Sequence, residues 1–202
     1  QLAQAMRALV NEVEADLATT GYLAASRAFG TAGTTPFAST LADSAQVRKI
    51  LADNGAPLGD LQLVFDTSAG ANVRSLGQLT KANEAADTNL LLRGVLLDIH
   101  GFALRESAQV KTHTKGTGAS ATTNNAGYAV GATVITLASA GTGTIVVGDL
   151  ITFAGDSNKY QVASGDTDVS NGGTITLAAP GLRQAIPAAA TNITVVNSSV
   201  RN

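Results

Sequence analysis

The sequence predicts an α+β protein whose second half is a small all-β, barrel-like unit. Two contrasts carry that expectation. Residues 1–116 hold ten of the thirteen Lys and Arg and eleven of the fifteen Asp and Glu, whereas residues 117–202 hold thirteen threonines and eleven glycines. Near Gly116 the apolar spacing also changes, from the helical period to short β-branched runs broken by Gly, Asp and Asn.

The first half reads as alternating helix and strand. Leu2, Met6, Leu9, Val10, Val13 and Leu17 share one helical face, with Glu12, Glu14 and Asp16 directed elsewhere, which predicts an amphipathic helix ending near Gly21. A second helix is expected after Ser39 or Asp43 as its cap; Val47, Ile50 and Leu51 share a face, and Asn54-Gly55 followed by Pro57 stops it. Residues 61–66, LQLVFD, read as a buried strand, and residues 67–76 as a short helix entered through Asp66, Thr67 or Ser68. Two glycines, Gly94 and Gly101, argue against a helix over 90–110, which reads instead as two strands broken at His100-Gly101. In the second half, strands are expected at 133–138, 144–147, 150–154, 159–163, 174–179 and 192–196, with 119–127 as a linker. The pairs Gly148-Asp149 and Gly155-Asp156 fall at strand junctions, where a short carboxylate bonds backbone amides and Gly supplies the turn.

Composition narrows the function. Net charge is −2, which offers no broad positive field for nucleic-acid phosphates. The absence of cysteine removes disulfides, zinc knuckles and thiol catalysis. No apolar run reaches the roughly 18–20 residues needed to cross a bilayer, so a soluble chain is expected. The first residues lack an initiator Met and the features of a signal peptide, and the last run stops without a closing element, so a fragment at both ends is expected.

The motifs that could carry chemistry each have a plainer structural reading. His100 and His113 lie in no metal-ligating pattern, and no Gly-x-Ser-x-Gly elbow activates a serine. GTGTIVVG, residues 141–148, lacks the Lys-Ser/Thr end of a phosphate loop and opens a strand, so it reads as a Gly-rich turn. DTDVSNGG, residues 166–173, begins like a calcium loop, but Asn171 occupies the turn-glycine position and Leu177 the bidentate-glutamate position, which leaves a hairpin loop. KTHTK, residues 111–115, reads as a solvated hinge, and the acceptor patterns at Asn192 and Asn197 match N-glycosylation sites only as Thr- and Ser-rich sequence often does. No catalytic, cofactor or metal set emerges.

In order along the chain, LADSAQVRKILADNGAPLGDLQLVFDTSAGANVRSL (41–76), LLRGVLLDIHGFALRESAQVKTH (91–113), NNAGYAVGATVITL (124–137), VVGDLITFAGDSNKYQV (146–162) and GGTITLAAPGLRQAIPAAATNITVV (172–196) resemble the coat proteins of tailed bacteriophages of the P22 type. The likeness runs from about residue 4 to 196, and the order of the motifs is its specific part. It implies an HK97-like capsid core over 1–116, with residues 1–20 as part of the spine helix and 39–110 as the central sheet-and-helix region. It further implies an inserted all-β domain over 117–196 and the start of a return to the core over 197–202. On that resemblance the chain is a structural major capsid protein of a tailed phage or prophage, made in the bacterial host's cytoplasm and located in the virion. Its partners are copies of itself in an icosahedral shell and a scaffolding protein during assembly; packaged DNA is met only indirectly and no membrane is involved. The family's N-terminal arm, extended loop and C-terminal return are not visible, so a monomeric fragment is expected. The polar loop 164–173, with Asp166 and Asp168, is the candidate subunit contact. Two other classes compete: a carbohydrate- or surface-binding β module, disfavoured by three Tyr and no Trp for sugar stacking, and a hydrolase, which would need a site built on His100 or a hidden Asp.

Overall fold

A computed structural model describes residues 2–81, 92–93, 96 and 98–200. The chain divides into two compact units, one made of residues 1–19, 29–112 and 199–202, the other of residues 20–28 and 113–198. Helix α1 runs Leu2–Ala24, past Gly21, so the expected stop there does not occur. An exposed glycine inside a helix costs only about 1 kcal/mol, too little to end it. The last turn of α1 and the residues after it belong to the second unit.

In the first unit, α2 (Ala42–Asp53) is followed by β1 (Leu61–Phe65), α3 (Thr67–Ser75) and the short α4 (Gly77–Thr80). The expected cap of α2 is corrected: Leu41 is the cap residue, with no side-chain bond, and the Asp43 carboxylate accepts from the Phe37 amide at 3.0 Å instead. Asp66 does cap α3, accepting from the amides of Ser68 at 3.3 Å and Ala69 at 3.0 Å. Of the first strand expected between residue 90 and the break at His100-Gly101, Leu92 and Arg93 are helical instead, Asp98 and Ile99 are strand, and most of the rest lies outside the described residues. Strands β2 (Asp98–Ile99) and β3 (Phe102–Glu106) flank His100-Gly101, both at positive φ, as a tight hairpin requires. The sheet order is β1-β3-β2, with β1 parallel to β3 from Leu61↔Phe102 to Phe65↔Glu106. Phe37, Phe65, Val73 and Phe102 form the heart of the core beneath it, with Phe37 and Phe65 edge to face at 5.8 Å. A separate two-stranded ribbon pairs β4 (Thr112–His113) with β10 (Ser199–Val200).

The second unit is built on a five-stranded antiparallel sheet in the order β5 (Val134–Thr136), β8 (Thr174–Leu177), β7 (Tyr160–Ser164), β6 (Leu150–Phe153), β9 (Ile193–Val195). The expected linker at 119–127 is a correction. Thr123 bridges Leu137 beside β5, Thr122 bridges Asn192 beside β9, and Ala121 and Thr123 are fully buried. The amide of Ala138 donates to Thr122 at 2.9 Å and that of Ile193 to Ala121 at 2.8 Å, so this segment joins both sheet edges and closes the barrel. Small side chains there permit close backbone approach, which composition alone reads as slack. The strand expected at 144–147 is reduced to one bridge, Ile145↔Asp166. Alternating inward side chains fill the barrel, among them Ile135, Ile151, Phe153, Val162, Ile175 and Leu177.

Candidate functional site

The loop that carries Asp166 and Asp168 is anchored at its base and polar at its tip. Asp166 and Ile145 exchange backbone bonds at 2.8 and 2.9 Å, and Val169 is fully buried with its amide on the Gly143 carbonyl at 3.0 Å. Between these anchors Asp166 Oδ1 accepts from the Asp168 amide at 2.9 Å, and Asp168 Oδ1 accepts from the Ser170 amide at 3.1 Å and the Ser170 hydroxyl at 2.6 Å. Asn171 Oδ1 accepts from the Gly173 amide at 2.9 Å. These acceptors hold the loop's own backbone, and among the described residues no group of three His, Asp or Glu is placed to hold a metal ion. The Ser170 bonds keep the Asp168 carboxyl below its ordinary range, so a negative charge stands on an exposed, locally ordered turn.

A second polar cluster lies inside the unit. Asp149 is 0% exposed, and its carboxylate takes three donors: His113 Nε2 at 2.9 Å, the Gly116 amide at 3.1 Å from each oxygen, and the Val146 amide at 2.9 Å. Tyr22, from the last turn of α1, sets its ring edge-on to His113 at 5.9 Å. A Cβ at Gly148 would sit 3.0 Å from both His113 Cε1 and Leu23 Cδ2, so the turn glycine also makes room for the imidazole. The reading of Asp149 as a turn residue is thus incomplete, and that of 111–115 as a solvated hinge is corrected at His113, which is buried. Thirty-six residues separate the two side chains, and no local motif could have joined them.

Asp156, in contrast, is a turn residue near the surface. Its Oδ1 accepts from the Asn158 amide at 2.8 Å, and its Oδ2 accepts from the Tyr160 hydroxyl at 2.5 Å. Burial, and then the Asp156 bond, push the Tyr160 hydroxyl above its ordinary 10.0. The Arg183 guanidinium lies 5.1 Å from the Tyr160 ring centre and donates to the Lys159 carbonyl; burial, and then the Arg27 charge, lower it. Tyr160 is buried, and Tyr22 and Tyr128 are half-buried.

In the first unit His100 Nδ1 lies 2.9 Å from Ser44 Oγ, the one serine-histidine contact among the described bonds. Ser44 donates its own proton to the Leu41 carbonyl at 2.9 Å, so the imidazole is the donor in the pair. A serine nucleophile requires the opposite polarity, with its proton on the imidazole. The Arg48 guanidinium holds the His100 carbonyl at 3.0 Å, which completes a structural staple between α2 and the β2–β3 hairpin. Among the described residues no helix is long and apolar enough to cross a membrane. The chain matches no protein-family model and no curated protein.

Proposed function

We propose that the protein is a non-catalytic structural subunit, a major capsid protein of a tailed phage or prophage that assembles into an icosahedral shell in the virion. The observation that carries this reading is the ordered run of motifs that resemble those of coat proteins, distributed over an α+β unit and a closed β unit; residues 113–198 leave the first unit after Thr112 and the chain returns to it at Ser199, while residues 20–28 join the second unit separately. This is the chain order expected of an HK97-like core with an inserted β domain. The polar chemistry supports the same conclusion. Asp149, Asp66 and Ser44 bond the backbone, and the His100 pair has the wrong proton polarity for hydrolysis. The exposed Asp168 turn, anchored by Val169, is the contact by which the β unit meets a neighbouring subunit. Its order in the isolated chain reduces the entropy lost on docking.

The test is to co-express the parent open reading frame with its scaffolding protein and examine the product by electron microscopy and analytical ultracentrifugation. Closed shells are expected; monomers under every condition would overturn the reading. Charge reversal of Asp166 and Asp168 in that system is expected to alter the assembled particles while the β unit still folds; loss of fold without an assembly phenotype would count against the contact.

A further inference from the structure

Helix α1 has no buried residue, and Leu2, Met6, Leu9, Val10, Val13 and Leu17 are each 52–79% exposed. At 100° per residue these six side chains occupy one stripe about 100° wide, the width with which a helix meets a partner face. A continuous apolar stripe of this kind marks an interaction surface, not scattered surface hydrophobicity. The helix charges are divided along its length: Arg7 is its one cation, while Glu12, Glu14 and Asp16 all lie in the second half of the stripe.

We propose that α1 is a self-pairing surface through which two copies of this chain dock antiparallel, about a two-fold axis level with Leu9 and Val10. In that register Met6 meets the second copy's Val13, Leu2 meets the second copy's Leu17, and Leu9 and Val10 each meet their own counterparts at the axis. Arg7 and Glu14 border the stripe on the same side, and a two-fold axis keeps that side against itself. Each arginine then falls about two residues, or about 3 Å, along the axis from the opposing Glu14, within reach of its side chain. Parallel pairing would instead gather six carboxylates at one end and two arginines at the other. The self-complementarity of stripe and charge is why a second copy is the occupant. One helical stripe is a small contact beside the about 800 Å² per partner of a typical stable interface, so the pairing is read over a wide concentration range. The pairing goes beyond the shell reading and departs from the monomeric chain expected of a fragment.

The chain has no cysteine, so single thiols report geometry without background. Sedimentation of the full chain from about 1 to about 300 μM is expected to show a monomer–dimer equilibrium, with association weakened at least about tenfold in Leu9→Asp. Because Leu9 is 55% exposed and lies more than three turns before Tyr22, that variant keeps the circular dichroism and tyrosine fluorescence of the parent. Under mild oxidation Val10→Cys is expected to form a disulfide dimer. Leu2→Cys alone is expected to stay monomeric, its counterpart being about 22 Å away, and to cross-link when mixed with Leu17→Cys. A monomer at every concentration, an unaffected Leu9→Asp, or self-linking of Leu2→Cys would each overturn the proposal.

Discussion

Replacing Asp149 with Ala removes the acceptor shared by His113, Gly116 and Val146. Leaving one buried donor unsatisfied costs about 1–3 kcal/mol, and partial rearrangement of the 113–116 and 144–149 segments recovers some of the total. The expected loss is about 3–5 kcal/mol, at the upper end for a single substitution. Asp149→Asn is the informative contrast. Its single oxygen can serve Val146 and Gly116, while its amide donates to His113 Nε2 if the imidazole proton moves to Nδ1, so the cost falls to about 1–2 kcal/mol. The assay is intrinsic fluorescence in urea. The chain has no Trp, and Tyr22, Tyr128 and Tyr160 all lie in the second unit, so the signal reports that unit selectively. Asp149→Ala is expected to lower its melting temperature by about 15–25 °C. A loss below about 1 kcal/mol would show that the carboxylate does not hold the unit together and would refute the account of the cluster.

Three further outcomes follow from the same geometry. Gly141→Ala is expected to destabilise the barrel by about 2–4 kcal/mol in urea, because a Cβ there would sit 2.7 Å from the Ala119 carbonyl and 2.8 Å from the Ala121 amide at φ +89°. Gly155→Ala, at φ +85° with open space around it, is the control and costs about 1–2 kcal/mol. The folded-state ionisation of Tyr160 lies above its unfolded value of 10.0, so it adds stability that is fully present below pH 10.0 and disappears as pH rises through the folded value. Tyr160→Phe is therefore expected to remove part of the alkaline limb of the stability profile measured by circular dichroism. Val169→Ala is expected to cost about 1–3 kcal/mol and to speed amide exchange at residue 169, whereas Asp168→Lys, on the exposed tip, loses only the two Ser170 bonds and lowers melting by less than Val169→Ala does.

The parts legible in the sequence are those determined by near neighbours. The period of Leu2 to Leu17 gives α1, Asp66 before Thr67-Ser68 gives the cap of α3, and β-branched runs between Gly and Asp give β5 to β9. What stayed hidden depends on residues far apart. Ala119 to Asn124 looks like slack chain because its strand partners, Leu137 and Asn192, come later in the sequence and their contacts are backbone to backbone. Likewise His113 looks solvated until the fold brings Asp149 and Tyr22 to it. The loop of Asp166 and Asp168 was readable as a hairpin loop, but its anchor Val169 was not, since burial of one valine has no local signature.

The closing segment has a consequence for synthesis. Residues 119–124 leave the ribosome early in the β unit, yet one of the two edges they join is completed only when Asn192 and Ile193 have emerged. During the intervening 70 or so residues the nascent barrel has two unpaired edges, a species prone to associate with its neighbours. Closure is therefore a late, nearly all-or-none event that depends on contacts of high sequence separation. A chain halted before residue 192 lacks the last seam, and a protease present during translation should distinguish it sharply from one extended a few residues further.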